Sequence, residues 1–152
     1  VSEFRDPLVI AQTGWQDGRA LWRTRAALRY QSDYLGEVLI IPDDFITDLG
    51  SVPRWPLVFW LAGGRGHRSA VLHDFPYQFR FWITGEGERL EISRRDADAV
   101  YHESLLADPW SGTTAAVARQ MWLGVRVGGR SWSDRTRVRA LNPQWAQDWA
   151  VA

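Results

Sequence analysis

The sequence predicts an α+β domain: an N-terminal antiparallel β meander packed on three to four helices, followed by an irregular Trp-rich C-terminal tail. Three observations carry that expectation. Residues 8–42 break into short apolar stretches separated by turn signals, as strands do. Beyond residue 66, apolar side chains recur at helical spacing, with capping residues at the starts. After Gly128-Gly129 the period is lost, while Trp132, Trp145 and Trp149 stand on a polar background. A chain of 152 residues fits one domain, long enough to bury roughly two thirds of its unfolded surface. The expected division is an α+β domain over 1–130 and a C-terminal extension over 131–152.

In order, LVIAQ is a short apolar run, and Asp17-Gly18 in GWQDG is a hairpin-turn signal. ALWRTRAALRYQ alternates imperfectly, with Leu21, Arg23 and Arg29 breaking the two-residue period. A turn in SDYLGE leads to EVLIIP, the strongest strand pattern in the chain. These segments predict three or four antiparallel strands. Asp43 and Asp44 then cap a turn. Residues 47–53 form a loop, because Gly50 and the pre-proline Val52 disfavour helix. WPLVFWLA starts a short helix, with Pro56 tolerated in its first turn, and stops at Gly63-Gly64. A helix over 67–75 places Ser69, His73 and Tyr77 in one i, i+4 row, and Pro76 is expected to end or kink it. TGEGE is a turn and RLEIS a short extended piece. Ser93 with Asp96 forms a variant capping box opening a helix from about Arg94 to Ala107. Its buried face is Ala97, Val100, Tyr101, Ser104 and Leu105. TTAAVARQMWLGVRV is the third long helix.

Composition narrows the functional classes. Formal charge is zero, with 18 basic and 18 acidic residues, so no broad attraction to nucleic acid or anionic membrane is implied. Every basic residue is Arg, which excludes a lysine base or Schiff-base chemistry. No Cys is present, which rules out disulfides and thiolate metal sites. No stretch approaches the roughly 18 apolar residues of a membrane span. The opening VSEFRD does not read as a signal peptide, and the missing Met points to processing or to residues before it. Ten Trp is far above ordinary usage, and Trp dominates protein interfaces as well as cores.

The chemistry-bearing residues concentrate between Ile41 and Tyr77. Asp43, Asp44, Asp48, His73 and Asp74 fall among apolar residues and Gly/Pro punctuation, and charges taken into a core must be paired, bonded or metal-bound. Asp48 either holds its T-D-x-x-S loop with Ser51 or orients His73. His73 and Asp74 project about 100° apart on a helix, so they flank a site and need partners from other segments. Asp48 and Asp98 are the two expected partners of His73, while an Arg such as Arg95 is available to Asp74. Asp98 and His102 share an i, i+4 spacing that suits a bound ion or a solvated pair. A Zn²⁺ site of Asp48, His73 and Asp98 suits metal-assisted hydrolysis, and a more carboxylate-rich version suits Ca²⁺. GGRG lacks the phosphate-loop pattern, and Ser51 lacks a nucleophile elbow.

Three stretches, IPDDFITDLGSVPR, AVLHDFPY and RRDAD followed by Tyr101, resemble in that order the motifs of a phage- and prophage-associated family called domain of unknown function 1353. That family carries Leu where this chain has Pro76. The resemblance implies a phage or gene-transfer-particle origin: a virion component made in the host cytoplasm, with other particle proteins as partners. His73-Asp74-x-x-Tyr77 is also similar to the His-Asp-x-Cys-Tyr helix of secreted phospholipases A2. There the His is a general base, the next Asp binds calcium, and an Asp from an antiparallel helix orients the His, the part that Asp98 would take. The missing Cys and the short Gly segment before His73 depart from that pattern. Two functions are expected. One is a hydrolase of the host envelope acting on peptidoglycan, metal- or His/Asp-dependent, with His73, Asp74 and Asp98 catalytic and Asp48, His73 and Asp98 available to Zn or Ca. The other is a non-catalytic tail or head component binding neighbours through Trp132, Trp145 and Trp149.

Overall fold

Short strands, two to seven residues long, dominate the first third of the chain, where Gly and Asp turns break up the apolar runs. A computed structural model of the protein describes residues 1–16, 18–49, 66–128, 141–142 and 144. The strands are β1 (Glu3–Phe4), β2 (Ile10–Gln16), β3 (Arg19–Thr24), β4 (Leu28–Ser32), β5 (Glu37–Ile41), β6 (Ile46–Thr47), β7 (Phe81–Thr84) and β8 (Arg89–Glu91). The helices are α1 (His67–Phe79), α2 (Arg94–Ala107) and α3 (Ala115–Val127). The fold is α+β. The segment WPLVFWLA, Ser51, GGR of the Gly segment, and Trp132, Trp145 and Trp149 lie outside the described residues.

The N-terminal strands divide between two antiparallel sheets. One has the order β1-β4-β5-β7-β8 and the other β2-β3-β6. The apolar-polar stretch that reads as one segment, residues 20–31, is cut at Thr24. That residue is buried. Its hydroxyl donates to the Pro42 carbonyl at 2.9 Å and accepts from the Phe45 amide at 2.9 Å, while its backbone bonds Asp44 and Phe45. A side chain bonded on both sides turns the chain from one sheet into the other. Gly18, at φ +76, makes the β2–β3 turn that the Asp-Gly signal predicts.

α1 lies against β5, β6 and β7, α2 packs on α1, β1 and β4, and α3 packs on α2. Every residue of α1 from Arg68 to Phe79 is buried, as expected of a helix enclosed on all sides. Val71, Leu72, Phe75 and Phe79 meet Leu39, Ile41, Phe81 and Ile83 in the main core. Phe75 sits edge-on to Phe45 at 5.3 Å and to Phe81 at 5.7 Å. Tyr101, Leu105, Ala118 and Met121 form a second cluster between α2 and α3. A Cβ on Gly66, ahead of α1, would push on the end of the Leu105 side chain at 2.8 Å, and its φ of +77 is a left-handed backbone that favours glycine.

α1 does not stop at Pro76. Proline has no N–H, so the Leu72 carbonyl one turn back loses its helical partner. The Trp82 indole N–H donates to that carbonyl at 3.0 Å, and the helix continues to Phe79. It ends at Arg80, a left-handed residue at φ +68 whose amide bonds the Pro76 carbonyl. α2 spans the predicted residues, and the Ser93 side chain accepts from the Asp96 amide. Thr114 caps α3 in the same way.

One described residue beyond α3, Asn142, reaches β6. Asn142 is buried, takes the Ile46 amide on its side-chain oxygen at 3.1 Å, and donates to the Ile46 carbonyl at 3.4 Å. It occupies the edge of β6 as a strand would.

Candidate functional site

α1 sends two polar side chains in different directions, as adjacent helical positions must. His73 faces α2, where its Nε2 lies 2.7 Å from Asp98 Oδ1, with both side chains fully buried. Asp74 faces β6, where Thr47 donates its hydroxyl to Asp74 Oδ2 at 2.5 Å. Thr47 in turn accepts the Leu49 amide at 3.0 Å. One helix thus ties the sheet to the second helix through consecutive polar residues.

Asp98 is the hub. Besides His73, it accepts the Tyr77 hydroxyl at 2.5 Å on the same oxygen. Its other oxygen accepts from Arg126 Nη1 at 2.9 Å and lies 3.7 Å from Arg94 Nε. Arg126 arrives from the last turn of α3, and Arg94 also bonds the Val125 and Arg126 carbonyls at the end of that helix. Burial pushes the Asp98 carboxyl up, but the bonds from His73, Tyr77 and Arg126 pull harder and leave it below its ordinary range. The buried carboxylate is therefore an anion held by donors from three helices. Burial, then the Asp98 bond and charge, push the Tyr77 hydroxyl well above its ordinary value, so it stays a proton donor.

The His73 ring lies between aromatic rings, 4.1 Å from Tyr77 and 4.5 Å from Tyr101. Burial, and then the negative charges of Asp74 and Asp98, raise the Tyr101 hydroxyl in the same manner. Ser69, one turn before His73 in the same row, is buried, and its hydroxyl has no hydrogen-bond partner among the described residues. An unsatisfied buried hydroxyl is uncommon and marks a position where a water or ligand atom belongs.

The structure brings His73 and Asp98 together, and places Asp74 beside them in sequence but on Thr47. Asp48 pairs with Arg19 at 3.5 Å. His102 turns to Trp122, 6.0 Å between rings, and burial with the charge of Arg119 lowers its pKa. Among the described residues no group of three or more His, Asp or Glu side chains is arranged to hold a metal ion. The donor set of Asp48, His73 and Asp98 does not fit a cation as it stands. Asp98 already faces two guanidinium groups, whose charge opposes a divalent ion.

Tyr77 and Arg94, which stand in the HDFPY and RRDAD stretches, and Arg126, which stands in no motif, complete the hub. Tyr77 was accessible from its i, i+4 relation to His73. Arg126 was not, because nothing local distinguishes it among 18 basic residues.

No described helix is long and apolar enough to cross a membrane. Comparison with curated proteins finds no match, and comparison with solved structures finds none. The sequence model of one family, described as a protein of unknown function, DUF1353, matches residues 22–125. That span contains Asp48, His73, Asp74, Tyr77 and Asp98, and ends one position before Arg126. With more than half of its length matched in this way, the chain belongs to the DUF1353 family.

Proposed function

We propose that the protein is a phage- or gene-transfer-particle-associated hydrolase of the host envelope, with peptidoglycan as substrate and the His73–Asp98 pair as its proton-transfer centre. One observation carries this reading: an imidazole and an ionised carboxylate 2.7 Å apart, on two helices, with the carboxylate oriented by further donors. That is the arrangement that fixes a histidine tautomer and stabilises the imidazolium formed when the ring takes a proton. His73 acts as general base, withdrawing a proton from an attacking water. Asp98 orients the ring and balances its charge, and Tyr77 holds Asp98. The unsatisfied Ser69 hydroxyl on the same row offers a position for that water. Asp74 supports from its bond to Thr47. Of the two expected versions, metal-dependent and His/Asp-dependent, the charges around Asp98 favour the second.

Digestion of purified cell-wall sacculi tests it. Wild type releases soluble fragments, His73→Ala slows release about 10²–10⁴-fold, and a chelator leaves the wild-type rate unchanged. Absence of release by wild type overturns the reading.

A second reading rests on the complete burial of the same pair. In it, the chain is a non-catalytic tail or head component, the hub is a buried polar network that fixes helix packing, and the Trp-rich extension meets neighbouring particle proteins. Unchanged fragment release with a lowered melting temperature in His73→Ala supports this version.

A further inference from the structure

A cleft lies away from the His73–Asp98 hub, at the other end of the α1–α2 contact. It measures about 300 Å³ and is bounded by Pro7, Leu8, Arg68, Asp108 and Trp110, with His67 at its edge. That volume matches the lower limit of small-molecule sites, about 300 Å³. We infer that this cleft binds a neutral saccharide, one sugar ring lying on the indole of Trp110 with its hydroxyls on the Arg68–Asp108 pair.

Three features specify that ligand class. Trp110 is 70% exposed, yet its ring is not loose. The Arg68 guanidinium lies 4.2 Å from its centroid, and the Trp110 amide bonds Asp108 at 2.9 Å. A flat apolar ring held in place and open to water suits the C–H face of a pyranose. Second, Arg68 and Asp108 are 7% and 5% exposed, and they neutralise each other through a two-point pair. A cleft whose buried charges cancel favours a neutral guest over an anion or a cation. Third, Arg68 has five N–H donors. Two point to Asp108 and one to the Asp6 carbonyl at 3.0 Å. The remaining N–H groups and the carboxylate together offer donors and an acceptor, which is what hydroxyl and acetamido groups require. A polyproline peptide would need a groove with several aromatic rings, and among the described residues Trp110 is the one indole or phenyl ring in the lining.

The test reads binding and not hydrolysis, so loss of the hydrolase reading leaves it intact. The full chain is titrated calorimetrically with the β-1,4-linked tetramer of N-acetylglucosamine. Wild type and Trp15→Ala bind saturably with equal affinity, Trp15 being 68% exposed but on β2 and outside the cleft. Trp110→Ala weakens binding about tenfold or more. Trp110→Phe, which keeps a flat ring, retains most of the affinity and controls for folding. Absence of saturable binding by wild type, equal binding by Trp110→Ala, or a Trp110-dependent site that takes a proline-rich peptide and not the saccharide overturns the inference.

Discussion

Two buried polar pairs join α1 to α2, and they differ in what they can do. Arg68 near the start of α1 meets Asp108 at the end of α2, and His73 farther along α1 meets Asp98 in the opening turns of α2. The helices therefore run antiparallel, clasped at two levels. At the first, the guanidinium is permanently charged and is held between the Phe4 and Trp110 rings, 4.7 and 4.2 Å from their centroids. No proton can move there. At the second, an imidazole can both give and take a proton, and its carboxylate is held by Tyr77 and Arg126 as well. Burial is common to both. Proton mobility separates a clamp from a candidate catalytic pair.

Breaking each pair sharpens the comparison. Asp108→Asn strands the Arg68 charge in a buried setting and is expected to cost about 3–5 kcal/mol in urea unfolding. Replacing both partners together, Arg68→Met with Asp108→Leu, should recover most of that loss. Asp98→Asn should cost less, on the order of 1.5–3 kcal/mol, because the hub keeps neutral donors and its Arg residues reach water. Its signature lies in acid. The Asp98 carboxyl is held below its ordinary range, so its contribution is complete above the unfolded carboxylate value, about pH 3.9. It is lost as pH falls through the lower folded value. Unfolding midpoints of Asp98→Asn should lack that acid limb, and an unchanged limb would assign it to other carboxylates.

Two smaller effects probe contacts outside the pairs. Trp82→Phe leaves the Leu72 carbonyl opposite Pro76 without its donor, and should destabilise by about 1–3 kcal/mol. Restoring an amide with Pro76→Ala in the same chain should reduce that cost, measured as a double-mutant cycle. Asn142→Ala should cost about 1 kcal/mol and increase hydrogen exchange at the Ile46 amide. No change there would detach the extension from the domain's stability.

What the sequence made legible was local. β5 and α2 follow from their patterns and from the Ser93 cap, and the i, i+4 row of Ser69, His73 and Tyr77 follows from spacing alone. β7 does not show itself: all four residues of Phe81–Thr84 are buried, so the alternation that marks a half-exposed strand is missing. The length of α1 depends on Trp82, whose indole supplies a bond that no rule about Pro76 contains. At the site, His73, Asp74 and Asp98 stand out because charge among apolar neighbours demands partners. Which partner each finds is decided by tertiary packing, so Asp48 goes to Arg19, Asp74 to Thr47, and Arg126 enters unannounced from α3. The division into two sheets at Thr24 depends equally on contacts distant in sequence.

The measurement closest to the central claim is the initial rate of soluble-fragment release from sacculi by wild type and Asp98→Asn, compared at equal folded fraction. If the imidazole–carboxylate pair moves a proton in turnover, wild type releases fragments and the variant is slower by about 10²–10⁴-fold. Equal rates in the two proteins, or no release by either, would contradict that account and leave the hub as a second clamp.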